Sequence, residues 1–147
     1  MAVGGDAGKL VRQNILWGDK MTLNRMSALW ARTALVWFVG ATCFGMYLGL
    51  TGQFGISSAH AHAGLLGWVS SALFAFLYAL AGDAGSRFAP VQWATHNGGV
   101  LLMVVSLFLT LRGNEGAEPL IGIGGLIVIL GIVWLAATLW PRLRASS

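Results

Sequence analysis

Four long apolar runs constrain this chain more than any other feature. They cover about residues 33–50, 57–81, 91–111 and 120–140. Each is roughly 18–25 residues long, the length at which an α-helix crosses a hydrocarbon core of about 30 Å. A barrel strand would alternate apolar and polar residues over about ten positions, and no run does so. Inside lipid every backbone N–H and C=O needs a partner within the protein, so helices are the form these runs take. Composition agrees: 56% of the 147 residues are hydrophobic and only 10% are charged, whereas soluble domains carry about 25% charge. Twenty-one glycines then point to close helix packing rather than to flexible linkers. The expected fold is all-α, an integral membrane four-helix bundle.

The junctions between the runs are short and polar. Thr51-Gly52-Gln53-Phe54-Gly55 separates the first two, Gly82-Asp83-Ala84-Gly85-Ser86-Arg87 the next, and Arg112-Gly113-Asn114-Glu115-Gly116 the last. Pro90 and Pro119 fit the first turns of the third and fourth helices, where a missing N–H costs nothing. Short loops between neighbours predict an antiparallel up-down arrangement. Lysine and arginine then give the direction. Lys9, Arg12, Lys20, Arg25, Arg32, Arg87, Arg142 and Arg144 fall on one side, and Arg112 alone on the other. The positive-inside rule places both termini and the second loop in the cytoplasm, as in a bacterial-type inner membrane. The net charge of +4 follows from that topology and from anionic headgroups. Dispersed basic residues without a recognition motif argue against nucleic acid.

Three segments follow: a cytoplasmic part over residues 1–25, a transmembrane domain over 26–141 and a short cytoplasmic tail over 142–147. The first lacks the apolar core of a secretory signal. Val11, Ile15, Leu16 and Trp17 suit a short interfacial helix, and a disordered basic tail suits the same composition. The single Cys43 leaves no internal disulfide and no thiolate cluster.

All three histidines, His60, His62 and His96, fall in or at the edge of the runs. Ionisable residues at membrane depth are uncommon and suggest function by default. A lone one is most simply a hydrogen-bonding imidazole between helices; three, two of them in Ser58-Ala59-His60-Ala61-His62-Ala63-Gly64, suggest a ligand. Residues two apart on an α-helix point about 200° apart, so His60 and His62 cannot face one metal from regular helix. A single imidazole is enough to hold a haem iron. Ala59, Ala61, Ala63, Gly64 and Gly67 leave room for a flat macrocycle and serve close helix packing equally well. His96 is expected about 12 Å away in depth from His62, which makes the two poor partners on one haem. His96 with Asn97 fits a polar contact between helices or a step in a proton or water path. Asp83, Glu115 and Glu118 are loop residues, and no nucleophile–base set is visible. Gly45-Met46-Tyr47-Leu48-Gly49 marks a close helix contact. Trp30, Trp93 and Trp140 fit interfacial anchors.

The run from Ala34 to Tyr78, with Gly45-Met46-Tyr47-Leu48-Gly49-Leu50-Thr51-Gly52, His60-Ala61-His62 and Leu65-Leu66-Gly67-Trp68-Val69-Ser70, resembles the first helices of subunit I in the haem–copper oxidase and nitric oxide reductase superfamily. Thr95-His96-Asn97-Gly98-Gly99 is similar to the start of the third helix of that group. The resemblance implies that His62, or alternatively His60, ligates a haem b from the outer end of the second helix. It also implies that the copper and catalytic-haem ligands, which lie on later helices, are absent. Gly64 stands where a polar residue is expected from the small relatives.

The resulting expectation is a haem b protein in electron transfer or in gas- or quinone-linked redox chemistry. Its cofactor would be held by His62 or His60 with Gly64 and Gly67 beside it. Two copies of His62 related by an axis along the membrane normal lie at equal depth, so a homodimer with the second helix at the interface is expected. The alternative is a non-catalytic accessory subunit of a larger respiratory or photosynthetic membrane complex. A free-standing metal-binding or transport protein is a weaker third, because no span carries a carboxylate.

Overall fold

The computed structural model describes residues 23–81 and 88–142. The expected N-terminal interfacial helix, the loop with Asp83 and Arg87, and the tail from residue 143 lie outside the described residues. Within them there is only helix and turn. The first helix, α1, is Arg25–Thr51. The second span opens with a 3-10 turn, Phe54–Ile56, continues as α2, Ser57–His62, passes through a π-helical segment, Ala63–Val69, and ends as α3, Ser70–Leu80. The third helix, α4, is Ala89–Leu111; a 3-10 turn, Glu115–Ala117, leads into α5, Glu118–Leu139.

Four helices are thus long and apolar enough to cross a membrane. The most apolar 18-residue window of each is only 17–33% buried, and Leu35, Val36, Leu50, Leu126 and Ile129 are among many exposed large side chains. Most of the apolar surface therefore faces outward, as in a multi-pass membrane protein in contact with lipid.

Local chemistry explains the boundaries. α1 begins eight residues before the apolar run because Asn24 caps it: Asn24 Oδ1 accepts from the Ser27 N–H at 2.8 Å. Its Nδ2 donates to the Tyr78 carbonyl on α3. The helix stops where Gly52 takes φ +67°, the left-handed conformation that favours glycine after a helix end. Pro90 and Pro119 occupy the first turns of α4 and α5.

Contacts set the register. Ser27 Oγ donates to the Ala75 carbonyl at 2.8 Å, the Trp30 ring meets Phe74 edge-on at 5.1 Å, and Trp37 lies against Gly67. Numbers on α1 therefore rise as those on the second span fall. Tyr78 Oη donates to Gln92 Oε1 at 3.4 Å, and Phe74 meets His96 at 5.0 Å, which gives the second span and α4 the same relation. α4 and α5 touch through glycine: a Cβ on Gly124 would lie 2.7 Å from the Met103 nitrogen, and one on Gly99 2.8 Å from that of Val128. These are backbone contacts that any side chain would break. The apolar core gathers Met26, Trp30, Phe74, Ala75, Tyr78, Ala89, Leu135 and Leu139, at the end where α1 and α4 start. Trp30, expected at an interface, has no exposed surface; it lies five residues past the start of α1, where Phe74 covers it. At the other end Arg112 donates to Gln53 Oε1 and lies 5.7 Å over the Phe108 ring.

Candidate functional site: a π-helical segment between histidines

The second span holds the residues singled out in the sequence, and the structure assigns each a different environment. His60 turns inward. A Cβ on Gly45 would sit 2.9 Å from His60 Cε1, so the first glycine of Gly45-Met46-Tyr47-Leu48-Gly49 makes the space for the imidazole. Phe44 meets the same ring edge-on at 6.0 Å. His60 Nδ1 is buried and has no hydrogen-bond partner among the described residues.

His62 lies two residues on and bonds only locally. Its Nδ1 is 2.8 Å from the Ser58 carbonyl oxygen, one turn back on the same helix. A carbonyl oxygen only accepts, so Nδ1 carries the proton, and in the neutral ring Nε2 keeps a free lone pair. The side chain is half-buried. Around Gly64 nothing stands within 4 Å of where a Cβ would be, whereas a Cβ on Gly67 would lie 2.4 Å from Trp37 Cδ2. The two glycines thus differ: the space beside Gly64 is open, and that beside Gly67 is filled by an indole.

Immediately after His62 the helix widens. Through Ala63–Val69 the backbone bonds reach five residues back, and the Ser70 N–H closes on the Leu65 carbonyl. Ser70 Oγ donates to that same oxygen at 2.9 Å. From there α3 resumes the four-residue spacing, and the change of spacing steps over one carbonyl, that of Leu66. His96 supplies the missing donor: its Nε2 is 3.1 Å from the Leu66 oxygen. His96 Nε2 therefore carries the proton, and its Nδ1 is a buried acceptor with no partner among the described residues. Segments of π-helix are rare, mostly single turns inside α-helices, and are frequent at functional sites.

Asn97 holds the next position of the same segment. Its Nδ2 donates to the Trp93 carbonyl at 2.9 Å, and its Oδ1 accepts from Trp37 Nε1 at 2.9 Å. Trp37 is the ring that fills Gly67. His96 and Asn97 thus grip neighbouring residues of the π segment, one through a carbonyl and one through an indole. Both make contacts between helices. The partners of His96 — Trp30, Phe74 and Leu66 — are not those of His60 or His62.

Among the described residues no group of three or more His, Cys, Asp or Glu side chains comes together as a metal site. The chain's own residues fit a haem in one way. His62 Nε2 offers one bond to an iron, oriented by the Ser58 carbonyl as metal-bound histidines are, with the exposed Ala61 next to it; Gly64, two residues on, points to the other side of the helix. Towards the bundle interior the space is taken by Trp37 at Gly67 and by His60 at Gly45, so a macrocycle on His62 would have to lie against the outward face of the second span. No protein-family model, curated protein or solved structure matches the chain.

Sequence reasoning missed Trp37 as part of the site's support and read Gly45 as a helix contact without the imidazole it makes room for. Trp37 and Gly67 carry the one usable signal, a large ring and a residue without a side chain on neighbouring helices. The π segment has no comparable signature in the residues themselves.

Proposed function

We propose that the chain is an integral membrane haem b protein in electron transfer or in redox chemistry linked to a gas or quinone. It has the form of an antiparallel up-down bundle with both termini cytoplasmic, in a bacterial-type inner membrane. The opposed numbering of neighbouring helices supports the up-down order. The observation that carries the haem reading is the His62–Ser58 hydrogen bond: it fixes the imidazole with its Nε2 lone pair free on a half-buried face. His62 would hold the iron, with the exposed Ala61 beside it; Gly64, two residues on, faces away. His60 packs inside and positions α2. When bound there, haem b supplies a one-electron iron couple. Because the His62 and Ala61 face is turned outward, a second copy of the same face would close the site, as a homodimer with the second span at its axis.

The experiment is a visible spectrum of detergent-purified protein, oxidised and reduced, after haem supplementation. The expected result is a Soret band that is lost in His62→Ala and kept in His60→Ala. Absence of the band from the folded wild-type protein refutes the reading.

A second reading, a non-catalytic accessory subunit of a larger membrane complex, draws on the filled contact at Gly67 and the wide outward apolar surface. On that reading His62→Ala is silent in assembly, and a bulky residue at 67 is not.

A further inference from the structure

Four side-chain polar atoms are buried among the described residues without a hydrogen-bond partner: Trp30 Nε1, His60 Nδ1, Ser71 Oγ and His96 Nδ1. His60 Nδ1 stands apart, against Gly45 and Phe44. The other three belong to one place. Trp30 and His96 meet edge to face at 5.6 Å, and both rings meet Phe74, at 5.1 and 5.0 Å. Ser71 precedes Phe74 by three residues and Ala75 by four, so it shares their face of α3. The register brings it to Trp30: Ser27 Oγ bonds to the Ala75 carbonyl, Trp30 is one turn further along α1, and Ser71 is one turn back along α3. Trp30, Ser71 and His96 have no exposed surface.

Their chemistry is complementary. The indole N–H only donates. His96 Nδ1 only accepts, because Nε2 carries the proton to the Leu66 carbonyl. The Ser71 hydroxyl does both. We propose that Trp30, Ser71 and His96 form a binding site for one water molecule in the core of the bundle. The water accepts from Trp30 Nε1–H, donates to His96 Nδ1 and exchanges its remaining bond with Ser71 Oγ. That makes three partners, the usual number for a buried water. In lipid no other solvent reaches these groups, and the Phe74 ring beside them offers no bond of this kind. With the water bound, His96 links it on one nitrogen to the leftover carbonyl of the π segment on the other. A change at the water site is thereby transmitted to the segment that follows His62.

The test uses the isotopically labelled full chain in lipid bilayers and proton-detected solid-state NMR, with magnetisation transferred from water to indole N–H protons. Trp37 and Trp93 are built-in controls, because their Nε1 atoms donate to Asn97 Oδ1 and Thr33 Oγ1, both at 2.9 Å. The expected result is strong transfer to Trp30, the more deeply buried indole, against weak transfer to Trp37 and Trp93. The His96 ring should be protonated at Nε2 and bare at Nδ1. Ser71→Val, which fills the hydroxyl's place with a methyl group, should abolish the Trp30 signal, shift His96 Nε2 and leave Trp37 unchanged. Transfer to Trp30 no stronger than to Trp37 in the wild-type chain overturns the proposal, whether or not the variant folds. So does a direct nitrogen–nitrogen coupling between Trp30 and His96, or a Trp30 signal that survives Ser71→Val.

Discussion

Substituting His96 by Phe removes the bond to the leftover carbonyl of the π segment, together with the Nδ1 acceptor of the proposed water site. Phenylalanine keeps an aromatic ring for the edge contacts with Trp30 and Phe74 at 5.6 and 5.0 Å, and it removes the Nε2–H that reaches the Leu66 oxygen at 3.1 Å. Aromatic pairs are worth about 0.5–1.5 kcal/mol each beyond burial, so most of that energy survives. What is lost is the one side-chain donor, among the described residues, to a carbonyl that the helix has stepped over. A buried group left without its partner costs about 1–3 kcal/mol, and hydrogen bonds between membrane helices average nearer 0.6 kcal/mol when both partners are removed. The one-sided change belongs to the first case, because the carbonyl stays. The expected loss is therefore about 1–2 kcal/mol. Relaxation of the segment to α-helix would turn α2 by about 100° relative to α3, which pulls the His60 ring from its place at Gly45 and is disfavoured. Reversible unfolding in mixed micelles measures the loss. His96→Gln, with an amide donor of shorter reach, should recover part of it, and amide exchange at residues 67–71 should rise in His96→Phe alone. A His96→Phe protein as stable as the wild type, or no recovery with Gln, refutes the role given to this bond.

The remaining expectations address single contacts. Gly67→Val places a side chain where Trp37 Cδ2 lies 2.4 Å away, and overpacking of this kind costs about 1–3 kcal/mol; Gly64→Ala, in open space, should stay within about 0.5 kcal/mol by the same unfolding assay. Trp37→Phe removes the indole bond to Asn97, with an expected loss of about 0.5–1.5 kcal/mol in the same unfolding assay. Gly124→Val meets the Met103 backbone at 2.7 Å and should separate α4 from α5, seen as loss of a spin-label distance between residues 101 and 129. Cysteine accessibility in inverted and right-side-out vesicles should place residues 114 and 53 on one face and residue 87 on the other, which tests the charge-derived orientation.

Much of the fold was legible because membrane helices announce themselves by length. Three of the four helix starts fall within three residues of the apolar runs, and Pro90 and Pro119 mark two of them. α1 departs because its first turns are held by a cap and by side chains facing the core: Asn24, Ser27 and Trp30. An apolar run measures what faces lipid, whereas a helix also extends where polar groups find partners inside. The buried Trp30 follows from the same distinction, since a tryptophan near a boundary is read as an anchor unless a neighbour such as Tyr78 or Phe74 covers it.

The site was legible in part, and the division has a physical cause. That His60 and His62 face different ways follows from about 100° per residue, and the structure has one against Gly45 and the other on its own helix. Which of them turns inward depends on the phase of the helix against α1, and no short-range pattern sets that phase. The glycines show the same limit. Gly64 and Gly67 are alike in sequence, yet one is open and one is filled by Trp37, because a ring thirty positions away on another helix decides the matter. The π segment depends on more distant partners still: its skipped carbonyl at Leu66 is tolerable because His96, on α4, donates to it. Local residues permit the wider helix, and the contact with α4 supports it. The two sequence elements that drew attention separately, His60-Ala61-His62 and His96-Asn97, are therefore parts of one construction, in which the second element stabilises the turn that orients the first.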